Sequence, residues 1–359
     1  MPALFLSRPA RASLASRRMS WFYRSLIRPA LFSQDSESIH NRTLAALGVA
    51  ASQPWLCGAL KQLYGSPEVP VELFGLRFPN PVGLAAGFDK NAVALPAWEA
   101  LGFGFTEVGT ITARPQPGNP KPRIFRVPEC QALVNRLGFN NEGCDRVADR
   151  LRRTRMKGLW PATPVGINLG KSKVTPLDEA ANDYLLSFER LEHFGDYFVL
   201  NVSSPNTPGL RTLQDRSQLE VIFRAIQSRN VDKKPVLVKI APDLEWGPIE
   251  EILTLAEEQG LAGIVATNTT IDHSSIPEQR RTQGGLSGAP LRARSTEIVR
   301  FIASRSRLPV IAVGGIMSAD DALEKFDAGA ALVQLYTGFI YEGPALVRSI
   351  CEALAARNP

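Results

Sequence analysis

The sequence predicts an α/β protein, a (β/α)8 TIM barrel with a small N-terminal helical extension, and three observations carry that prediction. Apolar runs of strand length recur eight times, and helical patterns follow nearly every one of them. The strand candidates are almost continuously apolar, which marks a parallel sheet covered on its outer face by helices. The 359 residues accommodate one barrel of about 250 residues plus a modest additional element.

Taken in order, residues 1–18 are rich in Arg and Ser and free of acids, which reads either as a transit-type leader or as sequence upstream of a start at Met19; the second reading is preferred. Residues 19–64 read as a helical unit. Phe22, Leu26, Ile27, Ala30 and Leu31 fall at helical spacing, with Pro29 expected to shorten or break the first helix. Asp35 is placed to cap a second helix that has Glu37 in its first turn and Ile39, Leu44 and Leu47 on one face. Residues 65–70 read as a linker and 71–78 as a hairpin, opening a barrel unit that runs over 65–359. Its strands are expected at 81–87, 105–111, 164–170, 197–203, 235–241, 263–269, 309–315 and 331–337, with helices such as 177–194, 248–259, 292–304 and 319–328 between them. Eight such units argue for closure rather than an open doubly wound sheet. The Pro- and Gly-rich stretch 113–141 is too long for a plain connection and reads as an irregular functional loop.

The formal charge of +6 raises the question of a nucleic-acid partner, and its location answers against one. Arg8, Arg11, Arg17, Arg18, Arg24 and Arg28 all precede the first acid, Asp35, so the rest of the chain is formally neutral. A neutral body with one basic arm suits an anionic membrane surface better than a nucleic-acid groove. No segment reads as a spanning helix: 43–60 is uncharged but is broken by Ser52, Gln53 and Pro54. Cys57, Cys130, Cys144 and Cys351 are scattered without a CxxC pair, and His40, His193 and His273 are the only histidines, so no metal site or disulfide framework is expected.

The chemistry is read from what ends each strand, because barrel active sites form at the carboxyl ends. Polar residues stand there in six units: Asp89 and Lys90, Thr110, Asn168, Asn201 to Asn206, Lys239, and Thr267 to Thr270. One polar strand end is usually a cap or turn former; six at one mouth would be costly to desolvate without a ligand. After strands six, seven and eight come glycines instead, in 284–288, at Gly314 and Gly315, and in 336–338. Glycine lets backbone N–H groups approach an anion, so the three together favour a phosphorylated ligand. No GxxxxGK[ST] or strand-linked GxGxxG is present, which argues against ATP and dinucleotides. A phosphate pocket, two lysines at the ends of apolar runs and several asparagines suggest flavin mononucleotide with a small anionic, amide-like substrate. Lys239 would neutralise a reduced flavin and Lys90 would pair with a substrate carboxylate.

The runs GLAAGFDK (83–90), EVGTITARPQPGNPKPRIFR (107–126), NRLGFNN (135–141), NVSSPNTPGLRTLQ (201–214), VKIAPDL (238–244), ATNTT (266–270), GGLSG (284–288), VGGI (313–316) and LVQLYTGFIYEGP (332–344) closely resemble the dihydroorotate dehydrogenase family, and the likeness extends from about Trp21 to the C-terminus. It implies oxidation of dihydroorotate to orotate in pyrimidine synthesis, with FMN as first electron acceptor. Carried over by position, Ser204 becomes the base that takes the C5 proton in a closed pocket, with Ser203 a structural neighbour. Substrate contacts fall on Lys90, Asn135, Arg136, Leu137, Gly138, Phe139, Asn201, Asn206, Asn268 and Thr269. FMN contacts fall on Ala86, Gly87, Lys90, Thr110, Asn168, Asn201, Lys239, Thr267, Gly288, Gly315, Tyr336 and Thr337.

The resemblance also implies a subgroup. Soluble members use cysteine as base, and none stands between Asn201 and Gly209; they also lack a helical extension such as residues 20–64. In the quinone-using group that extension forms an apolar tunnel mouth on the membrane, here with Trp21, Phe22, Leu26, Ile27, Leu31 and His40 as lining and Arg126 and Tyr336 deeper in. The membrane-spanning helix of the eukaryotic members is missing, which favours a protein peripheral on the cytoplasmic face of a bacterial inner membrane; likeness to the quinone-using group implies a monomer. The alternative, if residues 1–18 are a transit peptide, is the mitochondrial inner membrane. A dihydropyrimidine dehydrogenase-like reading would require iron–sulfur cysteine clusters, and a degenerate scaffold would leave gaps among the site residues; neither pattern is found.

Overall fold

In the computed structural model, which describes residues 14–357, strand and helix alternate as the apolar pattern requires. The N-terminal unit comprises α1 (Leu14–Phe22), a π-helical turn (Tyr23–Ile27), α2 (Arg28–Phe32), α3 (Ser36–Ala51) and α4 (Pro54–Tyr64). The hairpin β1 (Val71–Leu73) and β2 (Leu76–Phe78) follows. The body then runs β3 (Val82–Leu84), α5 (Leu95–Ala100), β4 (Phe105–Ile111), β5 (Ile124–Val127), β6 (Ala132–Asn135), α6 (Cys144–Met156), β7 (Val165–Leu169) and α7 (Ala180–Leu191). It continues through β8 (Tyr197–Asn201), α8 (Arg216–Arg229), β9 (Val236–Ile240), α9 (Trp246–Glu258), β10 (Gly263–Ala266), β11 (Gly285–Gly288) and α10 (Arg292–Arg305). The last elements are β12 (Val310–Val313), α11 (Ala319–Asp327), β13 (Leu332–Leu335), α12 (Thr337–Glu342) and α13 (Ala345–Arg357).

Eight of these strands close a parallel barrel in the order β3-β4-β7-β8-β9-β10-β12-β13, with β13 pairing back to β3 through Val333 opposite Val82. Each lies inside a run expected to be a strand, trimmed by up to three residues where the polar ends leave the ladder. The barrel interior is filled by Phe105, Tyr197, Val199, Leu237, Val265, Ile311 and Leu332. Glycine makes room for the two largest: a Cβ at Gly83 would lie 2.3 Å from the Phe105 ring, and one at Gly166 would lie 2.1 Å from Tyr197. The β1–β2 hairpin sends Phe78, fully buried, edge-on against Phe105 at 5.4 Å, plugging the amino-terminal end. The opposite end is left open for polar groups.

Two expectations are corrected. Pro29 does not break the first helix. The π-helical turn directly before it shifts the hydrogen-bond register, so the helical path continues from Leu14 to Phe32 without needing the N–H that proline lacks. Stretch 113–141 is irregular only in part: 113–123 and 136–141 follow no regular path, but its middle is ordered. It folds into the antiparallel pair β5–β6, extended by β11 into a three-stranded sheet, so the GGLSG run is a strand and not a loop. Its alternation is hard to see in sequence because Pro128 and Glu129 interrupt the two short strands.

The N-terminal unit is held by a few directed contacts. Asp35 caps α3 as expected, accepting from the Ser38 N–H at 2.8 Å. Leu44 and Leu47 pack on the main core. The Tyr23 hydroxyl donates to the Ile340 carbonyl at 2.8 Å, and Arg28 donates to the Tyr341 carbonyl at 3.0 Å. Helix α1 spans position 19, and Ser16 donates to Glu352 on α13 at 2.9 Å. Residues 1–13 lie outside the described residues.

Candidate active site

The polar strand ends converge on one cleft at the carboxyl end of the barrel. Of the residues singled out in sequence, Ala86, Gly87, Lys90, Thr110, Asn135, Leu137, Gly138, Phe139, Asn201, Ser204, Asn206, Lys239, Thr267, Asn268, Thr269, Gly288, Gly315, Tyr336 and Thr337 line it. Asn168 does not: it is fully buried behind the wall, accepting from Thr110 Oγ1 at 2.6 Å and donating to Glu107 Oε1 at 2.8 Å. Arg136 does not either. Its guanidinium turns outward to the Pro122 carbonyl at 2.9 Å and lies 5.2 Å from the Phe125 ring. The backbone of a pocket strand can line a cavity while alternate side chains face away.

The loop after β8 distinguishes its two serines. Ser203 Oγ is tied on both sides, donating to Asn201 Oδ1 at 3.2 Å and accepting from Asn268 Nδ2 at 3.0 Å. Ser204 lines the cleft; among the described residues its side chain makes one hydrogen bond, accepted from the Asn206 N–H at 3.3 Å, and its own proton is not donated to any of them. Arg211 holds this loop: it donates to the Ser203 carbonyl at 3.1 Å and the Thr269 carbonyl at 3.0 Å, and pairs with Asp243 at 2.8 Å. Thr207 Oγ1, three residues past Ser204, is buried and has no hydrogen-bond partner.

Both lysines are buried at the cleft. Lys90 donates to the Gly87 carbonyl at 2.7 Å, and burial pushes its pKa down to about 8. The Arg123 charge adds to that fall, while Glu37 and Asp89 oppose it. Lys239 makes no hydrogen bond or ion pair with any described residue; burial lowers its pKa, with the charge of Glu107 opposing. Beneath it, Gln334 donates to Glu107 Oε2 at 2.5 Å and leaves its own Oε1 buried without a partner. Glu107, Gln334 and Ser287 were not singled out in sequence. The first two were legible as polar residues inside otherwise apolar strands; Ser287 gave no such signal.

On the glycine-rich side, Gly315 has φ +76°, and a Cβ there would meet the Arg292 Cα at 2.2 Å. Gly288 has φ +100° and stands equally close to the Gln131 carbonyl. Both positions therefore exclude side chains and present bare backbone to the cleft.

An aromatic run leads from the cleft to the N-terminal helices. Tyr336 is 5.3 Å from Phe88, and Phe88 is 5.1 Å from His40 on α3. Burial, with the charge of Lys90, pushes the His40 pKa down to about 3, so the ring is neutral at ordinary pH. Arg126 does not reach the cleft: it donates to the Phe32 and Gln34 carbonyls at 2.9 Å each and stacks over the Phe32 ring at 4.5 Å. Trp21, Phe22 and Leu26 are exposed, as are Val49, Trp55 and Leu63 on α3 and α4. Among the described residues no single helix is long and apolar enough to cross a membrane, and α3 with α4 passes that test only as a pair bent by 112°.

The comparisons agree with this architecture. The family model described as dihydroorotate dehydrogenase matches residues 68–357. A protein of Gloeobacter violaceus named dihydroorotate dehydrogenase (quinone) is 56% identical over 336 residues, covering 92% of this chain and 94% of its own length. One of the same name from Thermosynechococcus vestitus is 51% identical over 354 residues, covering 93% and 96%. Among solved structures, the Eimeria tenella enzyme in complex with ferulenol superposes with a TM-score of 0.80 at 39% identity, covering 92% of this chain and 95% of that one. The chain belongs to the dihydroorotate dehydrogenase family and groups there with the members named for quinone.

Proposed function

We propose that the chain oxidises (S)-dihydroorotate to orotate in pyrimidine synthesis, with FMN as first electron acceptor and a membrane quinone as second. The observation that carries this reading is the single cleft in which an untied serine hydroxyl, two buried lysines and bare glycine backbone meet. Family membership narrows the reaction, and the residues present fit both ligands.

The fit to FMN rests on groups that lack partners. The orphaned Gln334 Oε1 and the unbonded Lys239 ammonium offer an acceptor and a cation to a polar ring edge. Gly288, Gly315 and Thr337 would hold the phosphate, with Thr110, Asn201 and Thr267 along the ring. Bound FMN supplies a hydride acceptor.

The chain's own residues supply the rest. Lys90 pairs with the substrate carboxylate, its ammonium charged below pH about 8. Asn135, Asn201, Asn206 and Asn268 offer donors and acceptors to the amide edges of the ring. Ser204 takes the C5 proton as its own hydroxyl proton passes to water, while the Asn206 N–H steadies its oxygen. A serine hydroxyl is a weak base, so removal is assisted by water and by exclusion of bulk solvent.

Residues 19–64 form the acceptor-side unit. His40 and Phe88 lead quinone towards Tyr336, and the exposed face of Trp21, Phe22 and Leu26, flanked by Arg18 and Arg24, lies on the membrane surface. The exposed apolar face beside basic residues supports reading the protein as peripheral on a bacterial inner membrane. The test is an anaerobic absorbance titration: the protein is isolated yellow or takes up FMN, dihydroorotate bleaches it, and a short-chain quinone restores the colour. A protein that binds no flavin, or one whose flavin is indifferent to dihydroorotate, contradicts the reading.

A further inference from the structure

A chain of polar contacts runs from the N-terminal helices to the catalytic loop, outside the cleft. It begins at Glu37, in the first turn of α3 and buried against the barrel. Arg123 gives it both arms, Nε to Oε2 at 3.0 Å and Nη2 to Oε1 at 2.7 Å. Burial works against the Glu37 carboxylate, but the hydrogen bond and charge of Arg123, with Lys121 at 3.4 Å, hold its pKa below the usual value. The third nitrogen of Arg123, Nη1, donates to the carbonyls of Pro117 at 2.6 Å and Asn119 at 2.8 Å.

Asn119 carries the path onward. Its side-chain amide donates to the carbonyls of Arg136 and Asn206 at 3.0 Å each. The Asn206 N–H is the group that donates to Ser204 Oγ, and the Asn206 side chain donates to Asn135 Oδ1 at 3.3 Å. A guanidinium is planar and rigid, so fixing two of its nitrogens on one carboxylate fixes where the third can point. A pair whose only task was to pin α3 to the barrel would need the carboxylate contacts alone.

We propose that Glu37 is a positioning residue for the catalytic loop: seating of α3 on the barrel sets, through Arg123 and Asn119, where Asn206 and Ser204 stand. The acceptor-side helices thereby help to build the substrate-side site. The effect on turnover rests on the reading of Ser204 as base, whereas the effect on the loop does not.

The experiment uses the flavin-loaded full chain with Glu37→Gln and Asn119→Ala, the latter cutting the path while leaving the ion pair whole. Hydrogen exchange is followed in peptides covering 203–210 and, as reference, strands β4, β7 and β8; anaerobic reduction by dihydroorotate is followed in parallel. Exchange in 203–210 is expected to rise about tenfold in both variants with the strands within about twofold, and reduction is expected to slow about tenfold. Loop exchange within about twofold of wild type in both variants overturns the proposal, as does a uniform rise across the barrel in Glu37→Gln with no loop effect in Asn119→Ala. If Glu37→Gln does not fold, Asn119→Ala decides alone. A loop loosened in both variants with an unchanged reduction rate upholds the coupling and contradicts the role given to Ser204.

Discussion

The barrel mouth and the N-terminal helices are built on opposite terms. At the mouth, nearly every polar group is committed: Asn201 alone bonds Thr110, Asn168, Ser203 and Asn268, and the few uncommitted groups, Ser204, Lys239 and Gln334 Oε1, face or underlie the cleft. On the helices several large apolar side chains are uncommitted instead, with Trp21 60% and Trp55 70% exposed. Substrate chemistry needs groups fixed to fractions of an ångström, which strand ends braced by buried networks supply. An apolar acceptor needs a greasy route and a surface to arrive on, which short helices supply without such precision. The contrast teaches that the uncommitted groups of each region, polar in one and apolar in the other, mark what it binds.

The largest expected effect falls on the mouth. Ser204→Ala should slow flavin reduction by dihydroorotate about 10²–10⁴-fold in stopped flow while orotate still binds. Ser203→Ala should instead act through Asn201 and Asn268 and disturb binding as well as rate. Lys90→Met should weaken dihydroorotate binding about 10–100-fold, the range for losing a hydrogen-bonded charge. The same residue sets a pH limit. Its ammonium persists below about 8 and is lost above it, so substrate affinity should fall as pH rises through that value, and the fall should be absent in Lys90→Met.

Effects on the helices should be smaller and of another kind. Trp21→Ser should reduce partitioning onto anionic vesicles about tenfold, with folding stability changed by no more than about 0.5 kcal/mol because the ring is exposed. His40→Ala should raise the quinone concentration needed for half-maximal re-oxidation about 2- to 10-fold, the worth of one ring contact in the His40–Phe88–Tyr336 run. Reduction by dihydroorotate should stay within about twofold in both, since neither side chain hydrogen-bonds Ser204 or the Glu37, Arg123 and Asn119 side chains.

How much of this was legible in the sequence differs between the same two regions. Barrel strands buried on both faces are apolar throughout, so all eight were found, and the polar residues ending them pointed at the cleft. What periodicity could not give was direction: Arg136 sits in the expected run but turns outward, and Asn168 supports the wall from behind. The β5–β6–β11 sheet was missed because its strands are short and because β11 joins β6 across about 150 residues of chain, a long-range contact that no local pattern announces. At the helices Asp35 was recognised by its capping chemistry, whereas the π-turn that absorbs Pro29 has no simple sequence signature. Glu37 looked like an ordinary first-turn acid; only the fold brings Arg123 to it.

The most direct test of the division is to time both half-reactions separately in Ser204→Ala and His40→Ala under anaerobic conditions. Flavin reduction is started with dihydroorotate, and re-oxidation is started with quinone after chemical reduction. The account predicts that Ser204→Ala loses reduction and keeps re-oxidation, and that His40→Ala slows re-oxidation alone. A Ser204→Ala protein reduced at the wild-type rate, or both half-reactions falling together in each variant, would contradict it.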